Sequence, residues 1–476
     1  MTAPRGSMTQ PLRYPDTGNG HLMTRRGWWL VVIGFLIPGS AQVLAGNRRL
    51  GRFGLGATIA SWVIVVLLAL GFWLARPLTL SILLNRWVLL LVAAVLVAYG
   101  VLWLILQIDT LRLVRLVRTH NPGRILIAAV AVLLMVLTGG TVASAAPRLV
   151  AASGAIGSIF GGGSSDVVEP TDGYYNVLLL GADSGEGRDS MRFDSISVVS
   201  MNATTGQITI TGIPRDLAHV PFSEGSPMLA LYPNGFEGYS DPTCGWGSGI
   251  NQLRNAAEVC LDDQGVSLYP DAAEDGSEPG IEATKDAAEG LLGIDIPYYV
   301  FIDMNGFAEL IDALGGVDIN VTERLPEGWG PTYDGEPAED WAIGWIETGQ
   351  QHMDGDTAQW YARSRYTTSD FDRMERQREL QAAILAQFTP ANVLSHFQDI
   401  ASAGTALVQT DVPQELLPEF LDLANEAKSQ QMTTIELTPD GPIGVDQDYP
   451  DAAAIQAYLH QVLHPEDTGD DSGATG

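Results

Sequence analysis

The segment Asn176-Val-Leu-Leu-Leu-Gly-Ala-Asp183 decides the fold class of the second half of this 476-residue chain. A short apolar run that ends in glycine is typical of a buried strand. Two runs rich in β-branched residues follow at 195–201 and 207–213, and the turn-forming stretch 202–206 joins them. We therefore expect three strands early in this half of the chain.

Helical patterns alternate with further strand signals after this segment. Their alternation predicts an α/β domain, in which helices cover a sheet. The stretch Leu314-Gly-Gly-Val317 predicts a helix C-cap that leads into a strand. Segments 262–280 and 326–342 are expected to be surface insertions. Helices are predicted at about 250–260, 281–292, 304–314, 373–388 and 415–428, and one more strand at 432–437.

Charge is divided unevenly along the chain. Residues 1–150 contain 14 arginines and two acids, a net charge of +12, whereas residues 151–476 contain 12 basic and 54 acidic groups, a net charge of −42. A domain with so much negative charge repels phosphates, so a role in binding DNA or RNA is excluded. The long apolar runs are confined to the first 146 positions, which excludes a wholly soluble protein.

Four apolar stretches, at 28–45, 53–75, 87–108 and 125–146, approach or reach the roughly 20 residues that a spanning helix needs. The arginines between them place the first and third connections in the cytoplasm and the acidic half outside, in a multi-pass plasma-membrane protein. Residues 1–26 also carry arginines and are expected inside. Pro38-Gly39-Ser40 interrupts the first stretch, so we expect a re-entrant or interfacial hairpin and three spans. Four ordinary spans are the alternative.

Three further features describe the connection and the ends of the acidic half. Residues 147–171 are expected to form a Gly/Ser-rich linker, and 463–476 an acidic disordered tail. Cys244 and Cys260 are the only cysteines. In an extracytoplasmic domain such a pair is most simply a disulfide, and two free buried thiols are the alternative.

Arginines are concentrated late in the acidic half. Five of its 12 basic residues fall within 16 positions: Arg363, Arg365, Arg373, Arg376 and Arg378. Arg373, Arg376 and Gln377 have the spacing of one helical stripe, and Asp372 and Glu375 have the spacing of a capping box at the start of that helix. Guanidinium groups near a helix start suit a phosphate or pyrophosphate. A salt-bridge network on one helix is the alternative.

Carboxylates and further arginines follow the ends of the predicted strands. Asp183 comes directly after the first strand, Arg192 and Asp194 precede the second, and Arg215 follows the third. Ligands of α/β folds bind at such strand ends. Asp183 and Asp194 are candidates to hold a cation of the magnesium type, whose coordination phosphate oxygens would complete. Together these residues predict a site in which arginines and carboxylates face a metal-bound pyrophosphate.

Other catalytic patterns are absent from the sequence. The seven histidines are interpreted as lacking the spacing of zinc ligands. There is no Walker-type Gly-Lys-Ser/Thr, no Gly-x-Ser-x-Gly and no Ser-x-x-Lys, and the chain has only two lysines, Lys285 and Lys428. A covalent mechanism through Lys or Ser therefore has little support.

These residues resemble the LytR-CpsA-Psr family of membrane-anchored enzymes, which attach polyprenyl-pyrophosphate-linked glycopolymers to peptidoglycan. The resemblance covers about 172–462 and implies a central mixed sheet flanked by helices. It rests on six motifs in order: Asn176-Val-Leu-Leu-Leu-Gly-Ala-Asp183, Arg192-Phe-Asp194, Ile213-Pro-Arg-Asp216, Gly249-Ile-Asn251, Ala313-Leu-Gly-Gly-Val-Asp318, and Ala362-Arg-Ser-Arg365 through Asp370-Phe-Asp-Arg373 to Arg376-Gln377.

The resemblance implies a phosphoryl-type transfer. A peptidoglycan hydroxyl, typically the C6 hydroxyl of N-acetylmuramic acid, attacks the glycan-side phosphorus and the lipid phosphate leaves. Mg²⁺ or Mn²⁺ would be held by Asp183 and Asp194, and Asp194 or Asp370 would be the general base. The groups that grip the pyrophosphate would be Arg192, Arg215, Arg363, Arg365, Arg373, Arg376 and Gln377. Such chemistry depends on positioning and charge neutralisation.

The family also holds its polyprenyl chain in an apolar tunnel. Residues with suitable spacing for the wall, or for ordinary core packing, are Phe301, Phe307, Leu310, Ile311 and Leu314. The sequence departs from the common family layout in its several membrane segments, where many members have one. It also has Asp372 where the late motif often has glycine, and we expect this carboxylate to cap the helix and point away from the phosphate.

Two other functions compete with the ligase. A pyrophosphatase or phosphatase would use the same site with water as acceptor. A non-catalytic membrane protein that binds lipid-linked glycan or wall polymer is the third reading. The carboxylate pair and the full set of arginines argue against a pure binding protein.

Overall fold

The computed structural model describes residues 10–159, 167–182, 192–240, 245–260, 267–333, 335–364, 366–387, 408–427 and 430–465. The chain divides into two units, Met1–Gly154 and Ala155–Gly476. Asp183, Cys244 and Arg365 lie outside the described residues, as does the tail from 466, and only the backbone of Cys260 is described. The predicted metal pair and disulfide therefore stay predictions.

The first unit is helical. Three of its helical segments are long and apolar enough to cross a membrane, by length and composition: Arg48–Leu74, Arg86–Arg118 and Asn121–Gly154. The helices are α1 (Gln10–Arg13), α2 (Gly20–Leu36), α3 (Ser40–Ala45), α4 (Arg48–Leu74), α5 (Arg76–Leu84), α6 (Arg86–Val114) and α7 (Asn121–Ile159).

The first apolar stretch of the sequence is split between α2 and α3 at Pro38 and Gly39. Gly39 has a φ of +96°, and a Cβ at this position would clash with the backbone of Leu55 in α4. Buried Gln42 of α3 donates to the carbonyl oxygen of Leu106 over 2.8 Å, so α3 is fixed to α6. The break that the Pro-Gly pair predicts is present, and the re-entrant or interfacial placement of this hairpin stays a prediction.

The last helix of this unit is longer than the sequence indicated. It continues through Pro147 to Ile159, whereas a linker was expected to begin at 147. Residues 149–159 are mostly Ala, Val, Leu, Ser and Gly, and the alanines favour helix. The Gly-rich part of the expected linker, 161–163, lies outside the described residues.

The second unit is an α/β domain. Its strands are β1 (Tyr174–Ala182), β2 (Phe193–Asn202), β3 (Ile208–Ile213), β4 (Tyr239–Ser240), β5 (Gly245–Trp246), β6 (Tyr298–Asp303), β7 (Val317–Val321), β8 (Leu325–Glu327), β9 (Gly344–Ile346), β10 (Gly349–Met353), β11 (Val408–Thr410) and β12 (Thr433–Glu436). Its helices are α8 (Pro227–Leu231), α9 (Leu253–Asn255), α10 (Pro279–Leu292), α11 (Met304–Leu314), α12 (Ala338–Trp341), α13 (Gly355–Arg363), α14 (Asp370–Gln387), α15 (Leu417–Ala427) and α16 (Ala452–Leu463).

Six strands form the central sheet in the order β11-β6-β1-β2-β3-β12. β1, β3, β6 and β12 run in one direction, and β2 and β11 run in the other. The predicted mixed sheet is thereby confirmed. The carboxyl ends of four strands meet at one edge, together with the start of β2.

Both faces of the sheet are buried, because alternate residues of each strand point to opposite sides. On β1, Leu178 and Leu180 pack in a cluster with α10 and α16, whereas Tyr175 and Val177 pack in a cluster with α15. The residues considered for a tunnel wall lie in or against these cores and a third cluster around α11: Phe301, Phe307, Leu310, Ile311 and Leu314. In this structure these five residues are part of the packed core or lie against it.

Several local predictions are confirmed. The turn between β2 and β3 closes through Gly206, which has a φ of +71° and donates to the carbonyl oxygen of Asn202 over 2.9 Å. Helix α11 ends at Gly315 and Gly316, both with a φ of +89°, and β7 begins at Val317. The helix expected at 250–260 is instead a series of short 3₁₀, α and π segments.

A buried ion pair fixes α14 to the sheet. The guanidinium of Arg378, whose side chain is only 2% exposed, lies with Nε 3.6 Å from Glu436 Oε1 at the end of β12. It also donates to Ser195 Oγ over 3.2 Å and to Gln381 Oε1 over 3.1 Å. Gly212 of β3 makes room for the carboxyl group, because a Cβ there would clash with it.

Burial raises the pKa of Glu436 to about 7, although Arg378 acts to lower it. Within the described part of the chain neither carboxyl oxygen has a hydrogen-bond partner, so little besides Arg378 stabilises the charged form. In the unfolded chain this group titrates near its ordinary value of 4.5. Between pH 4.5 and about 7, Glu436 is therefore protonated to a greater extent in the folded protein than in the unfolded chain.

We expect this difference to appear as a pH dependence of stability. The contribution of Glu436 to the free energy of unfolding is full below about pH 4.5 and is lost as the pH rises through about 7. Thermal unfolding of the full chain in detergent, wild type against Glu436→Gln, should show the variant gaining relative stability from pH 5 to pH 8. A constant difference between the two melting temperatures would contradict this assignment.

Close packing of α13 on α11 gives a second prediction. A Cβ at Gly355 would clash with the carbonyl oxygen of Ala308, so Gly355→Ala should destabilise the domain by about 1–3 kcal/mol through overpacking. The measurement is the melting temperature of the full chain. Gly247→Ala is the control, since a Cβ at Gly247 meets no atom of the described residues within 4 Å, and an equal loss in both variants would rule out the packing explanation.

Candidate functional site

Charged side chains gather at the edge of the sheet where four strands end. β1 ends at Ala182, β3 at Ile213, β6 at Asp303 and β12 at Glu436, and β2 begins at Phe193. Asp303 pairs in register with Ala182. This is the edge at which α/β sheets bind ligands.

Four of the predicted residues form a continuous chain of ion pairs, which we call the charge chain: Asp194, Arg215, Asp370 and Arg373. Arg215 Nη1 donates to Asp194 Oδ1 over 2.6 Å, and Arg215 Nη2 lies 3.7 Å from Asp370 Oδ1. Arg373 Nη2 lies 3.1 Å from Asp370. The charge chain thus links β2, the end of β3 and the first turn of α14.

Arg215 has three carboxylate partners, Asp194, Asp216 and Asp370. Burial alone would lower the pKa of its guanidinium, but Asp370, Asp194 and Asp216 outweigh burial and raise it. Its side chain is 20% exposed and that of Asp370 is 37% exposed. A fixed positive charge is therefore held at the sheet edge and remains within reach of solvent.

Helix α14 begins with a capping box, one turn earlier than expected. Ser369 Oγ accepts from the backbone N–H of Asp372 over 3.1 Å, and Asp372 Oδ2 accepts from the backbone N–H of Ser369 over 2.7 Å. The expected box of Asp372 with Glu375 is wrong by three positions, because Ser369 supplies the cap. These hydrogen bonds lower the pKa of Asp372, and its carboxylate is engaged with Ser369, as expected of a capping group.

Arg376 and Gln377 hold the segment that follows α13. Arg376 donates to the carbonyl oxygens of Tyr361 and Ser364 and to Thr368 Oγ1, and Gln377 donates to the carbonyl oxygen of Ala362 over 3.3 Å. Both side chains are more than nine-tenths buried. In this structure these two residues bind backbone carbonyl groups before position 365, and Arg376 also binds the Thr368 hydroxyl after it.

Arg363 and Arg192 lie outside the charge chain. Arg363 ends α13, and its guanidinium lies 5.1 Å from the ring centre of Trp329 and 5.9 Å from that of Trp360. Arg192 is exposed and directly precedes β2. The structure therefore brings Asp194, Arg215, Asp370 and Arg373 into mutual contact, and it places Arg363 against aromatic rings.

The described part of the predicted metal site fits a hard cation. Asp194 is a carboxylate at a strand end with a side chain that is 27% exposed. Asp303 is a second carboxylate at the same edge, in register with the residue before Asp183. Oxygen donors of this kind suit Mg²⁺ and Mn²⁺. Asp303 was missed from the sequence, and its only signal was an acid at the end of an apolar strand.

A different cluster lies at the opposite end of β1. Asp172, His460 and His464 place their potential ligand atoms within 4.8 Å of one another, and His464 Nε2 lies 2.8 Å from Asp172 Oδ2. His460 and His464 are one helical turn apart at the end of α16, so the interpretation that the histidines lack ligand spacing was wrong. Nine residues of β1 separate this cluster from the charge chain, roughly 30 Å of extended chain.

Comparisons with known proteins give the same assignment as the motifs. The LytR_cpsA_psr family matches residues 161–462. The polyisoprenyl-teichoic acid–peptidoglycan teichoic acid transferase TagU of Bacillus mycoides is 25% identical over 275 residues, which are 57% of this chain and 71% of that protein. Biofilm regulatory protein A of Streptococcus mutans is 27% identical over 293 residues, 59% of this chain and 61% of that protein.

Among solved structures, B. subtilis TagV is 22% identical, with a TM-score of 0.40, over 62% of this chain and 97% of that chain. The family assignment comes from the sequence match, which covers well over half of the chain and includes all of the strand ends that form the charge chain. This chain belongs to the LytR-CpsA-Psr family.

Proposed function

We propose that this chain transfers a glycopolymer from a polyprenyl-pyrophosphate carrier to peptidoglycan. The observation that carries this proposal is the charge chain, in which Arg215 and Arg373 are held by carboxylates at the ligand-binding edge of the sheet. Membership of the family and the similarity to the teichoic acid transferase of Bacillus mycoides support it.

The reaction forms one phosphodiester and breaks one phosphoanhydride. The acceptor hydroxyl oxygen bonds to the glycan-side phosphorus, and the bond from that phosphorus to the bridging oxygen breaks, so polyprenyl phosphate leaves. Negative charge shifts onto the leaving phosphate as the bridging bond breaks. Arg215 and Arg373 are positioned to neutralise it, because each guanidinium already faces a carboxylate that an anionic phosphate can replace.

Asp370 is the proposed acceptor of the hydroxyl proton. Asp194 is less suited, since its Oδ1 accepts from Arg215 over 2.6 Å and it is a candidate metal ligand. Asp370 has the more exposed side chain of the two, and it lies between the two arginines that would orient the phosphate. Arg192, Arg363 and Arg365 would extend the anion-binding surface.

Asp183 and Asp194 would hold Mg²⁺ or Mn²⁺, with Asp303 at the same edge. The cation, when bound, would neutralise part of the phosphate charge. Arg215 orients the carboxylate of Asp194, because its Nη1 donates to Asp194 Oδ1 over 2.6 Å.

We further propose that the acidic domain lies outside the cell, on a multi-pass membrane anchor. The arginines that flank the apolar helices support this orientation, and a disulfide between Cys244 and Cys260 would be compatible with it. Protease added to intact spheroplasts should degrade the domain and leave the first and third connections between the apolar stretches intact. Protection of the domain until the membrane is lysed would reverse the orientation.

The arginines of the charge chain give the main test. In full-length protein reconstituted in nanodiscs, with a synthetic polyprenyl-pyrophosphate-linked disaccharide, Mg²⁺ and peptidoglycan oligomers, Arg215→Ala and Arg373→Ala should each lower kcat about 10²–10³-fold. Release of polyprenyl phosphate and transfer of sugar are followed together.

Arg254→Ala is the matched control, because Arg254 is similarly buried but pairs with Glu258 and Glu278 away from the strand ends. It should lose stability and keep its turnover per folded molecule. Release without transfer in the wild type would identify a hydrolase, and tight lipid binding with neither product would identify a binding protein.

Metal dependence is tested separately. After treatment with EDTA, the wild type should lose transfer and regain it with Mg²⁺ or Mn²⁺, and Asp194→Asn should need a higher metal concentration because one carboxylate donor is lost. Full activity in EDTA would contradict the metal site while leaving the arginine mechanism intact.

A further inference from the structure

Four aromatic side chains form a partly exposed surface beside Arg363, which we call the aromatic surface: Trp329, Trp341, Trp360 and Tyr366. The rings of Trp329 and Trp360 meet edge to face at 5.4 Å, and those of Trp341 and Tyr366 at 5.2 Å. Trp329 is 74% exposed and Tyr366 is 45% exposed. Neighbouring apolar rings with this much exposed surface are typical of an interaction site.

The backbone that carries the exposed ring of Trp329 is held by its surroundings, and the ring itself contacts Trp360 and Arg363. Tyr366 donates its hydroxyl to the carbonyl oxygen of Trp329 over 2.9 Å. Gly330, with a φ of +96°, lets the backbone pass the ring of Tyr366, with which a Cβ would clash. Ser364 donates to the carbonyl oxygen of Pro326 over 3.0 Å, which fixes the start of the loop. A preorganised ring binds with less loss of conformational entropy than a mobile one.

Arg363 lies beside the aromatic surface and precedes Asp370, the first residue of α14, by seven positions in the sequence. Its guanidinium lies within 6 Å of the rings of Trp329 and Trp360, and it belongs to the arginine-rich segment that leads into α14. A ligand whose phosphate is held by Arg363 would have its next chemical group near these rings.

The charge of this region distinguishes between possible ligands. Residues 323–347 contain seven acids and one base, Arg324. An anionic membrane surface is repelled by such a segment, and so is a polyanionic chain. The apolar face of a pyranose ring carries no charge, its C–H groups point at the negative face of an aromatic ring, and its hydroxyls can bond to the acidic rim.

We propose that the aromatic surface binds a pyranose ring of the glycan, with Trp329 as the stacking platform. This inference rests on the proposed function for the identity of the glycan, and it adds a sugar subsite to the anion site. The sugar belongs either to the acceptor strand or to the donor next to its phosphate, and the two sources share the same chemistry.

Direct binding measurements with the full chain in zwitterionic nanodiscs test the proposal without turnover. One arm uses a peptidoglycan glycan tetrasaccharide alone, and the other uses the polyprenyl-pyrophosphate-linked disaccharide alone. Trp329→Ala should weaken binding by about three- to tenfold in one arm, and that arm identifies the source. Trp329→Phe should recover part of the affinity, since it keeps an aromatic face.

Tyr449→Ala is the control, because Tyr449 is 71% exposed and stacks on His219 outside the aromatic surface. The melting temperatures of all variants verify folding. Unchanged binding in both arms for a folded Trp329→Ala would overturn the proposal. Trp329-dependent binding without turnover would retain the sugar subsite and reject the ligase. Turnover that depends on Arg215 and Arg373, with the KM of Trp329→Ala for donor and acceptor unchanged, would retain the ligase and reject the sugar subsite.

Contact with lipid is the competing outcome. Brominated lipids in the nanodisc quench tryptophans that enter the bilayer. The difference in fluorescence between wild type and Trp329→Phe reports Trp329 alone, and we expect no quenching of this difference. Strong quenching would show that the aromatic surface is a membrane contact and would overturn the sugar subsite.

Discussion

The placement of Arg215 between Asp194 and Asp370 is the interaction on which the candidate site depends. It joins the start of β2 to the start of α14, two segments that are far apart in sequence. Without this guanidinium, two carboxylates would face each other at a crowded strand edge and repel. With it, the edge holds alternating charges, and α14 is oriented so that its first turn, Arg373 included, faces the ends of the strands.

This alternation also explains how a domain of net charge −42 can bind an anionic substrate. Most of its surface repels phosphates, and the arginines are concentrated where four strands end. In the structure Arg215 and Arg373 form ion pairs with carboxylates, which offset their positive charge. Under the proposed function, an incoming pyrophosphate would exchange with existing ion pairs, and selectivity would depend on how well its geometry competes with Asp194 and Asp370.

The sequence predicted the strands and therefore the edge at which Asp194, Arg215 and the late arginines would meet. It could not predict which arginine meets which acid, since that depends on strand register and on the rotation of α14. Arg378 was counted as one more member of the arginine cluster, yet its side chain is buried against the sheet. Trp329 lay in a segment read only as a surface insertion. Asp172, His460 and His464 were missed because they come from opposite ends of the domain.

The contact between Gly212 and Glu436 has a consequence for how this sequence can change. The glycine leaves the space that the carboxyl group fills, so neither position is free on its own. A larger residue at 212 becomes tolerable only after 436 has become shorter, and a shorter residue at 436 leaves Arg378 buried beside a void. Substitution at this strand end therefore has a preferred order, and the two positions are inherited together as one unit.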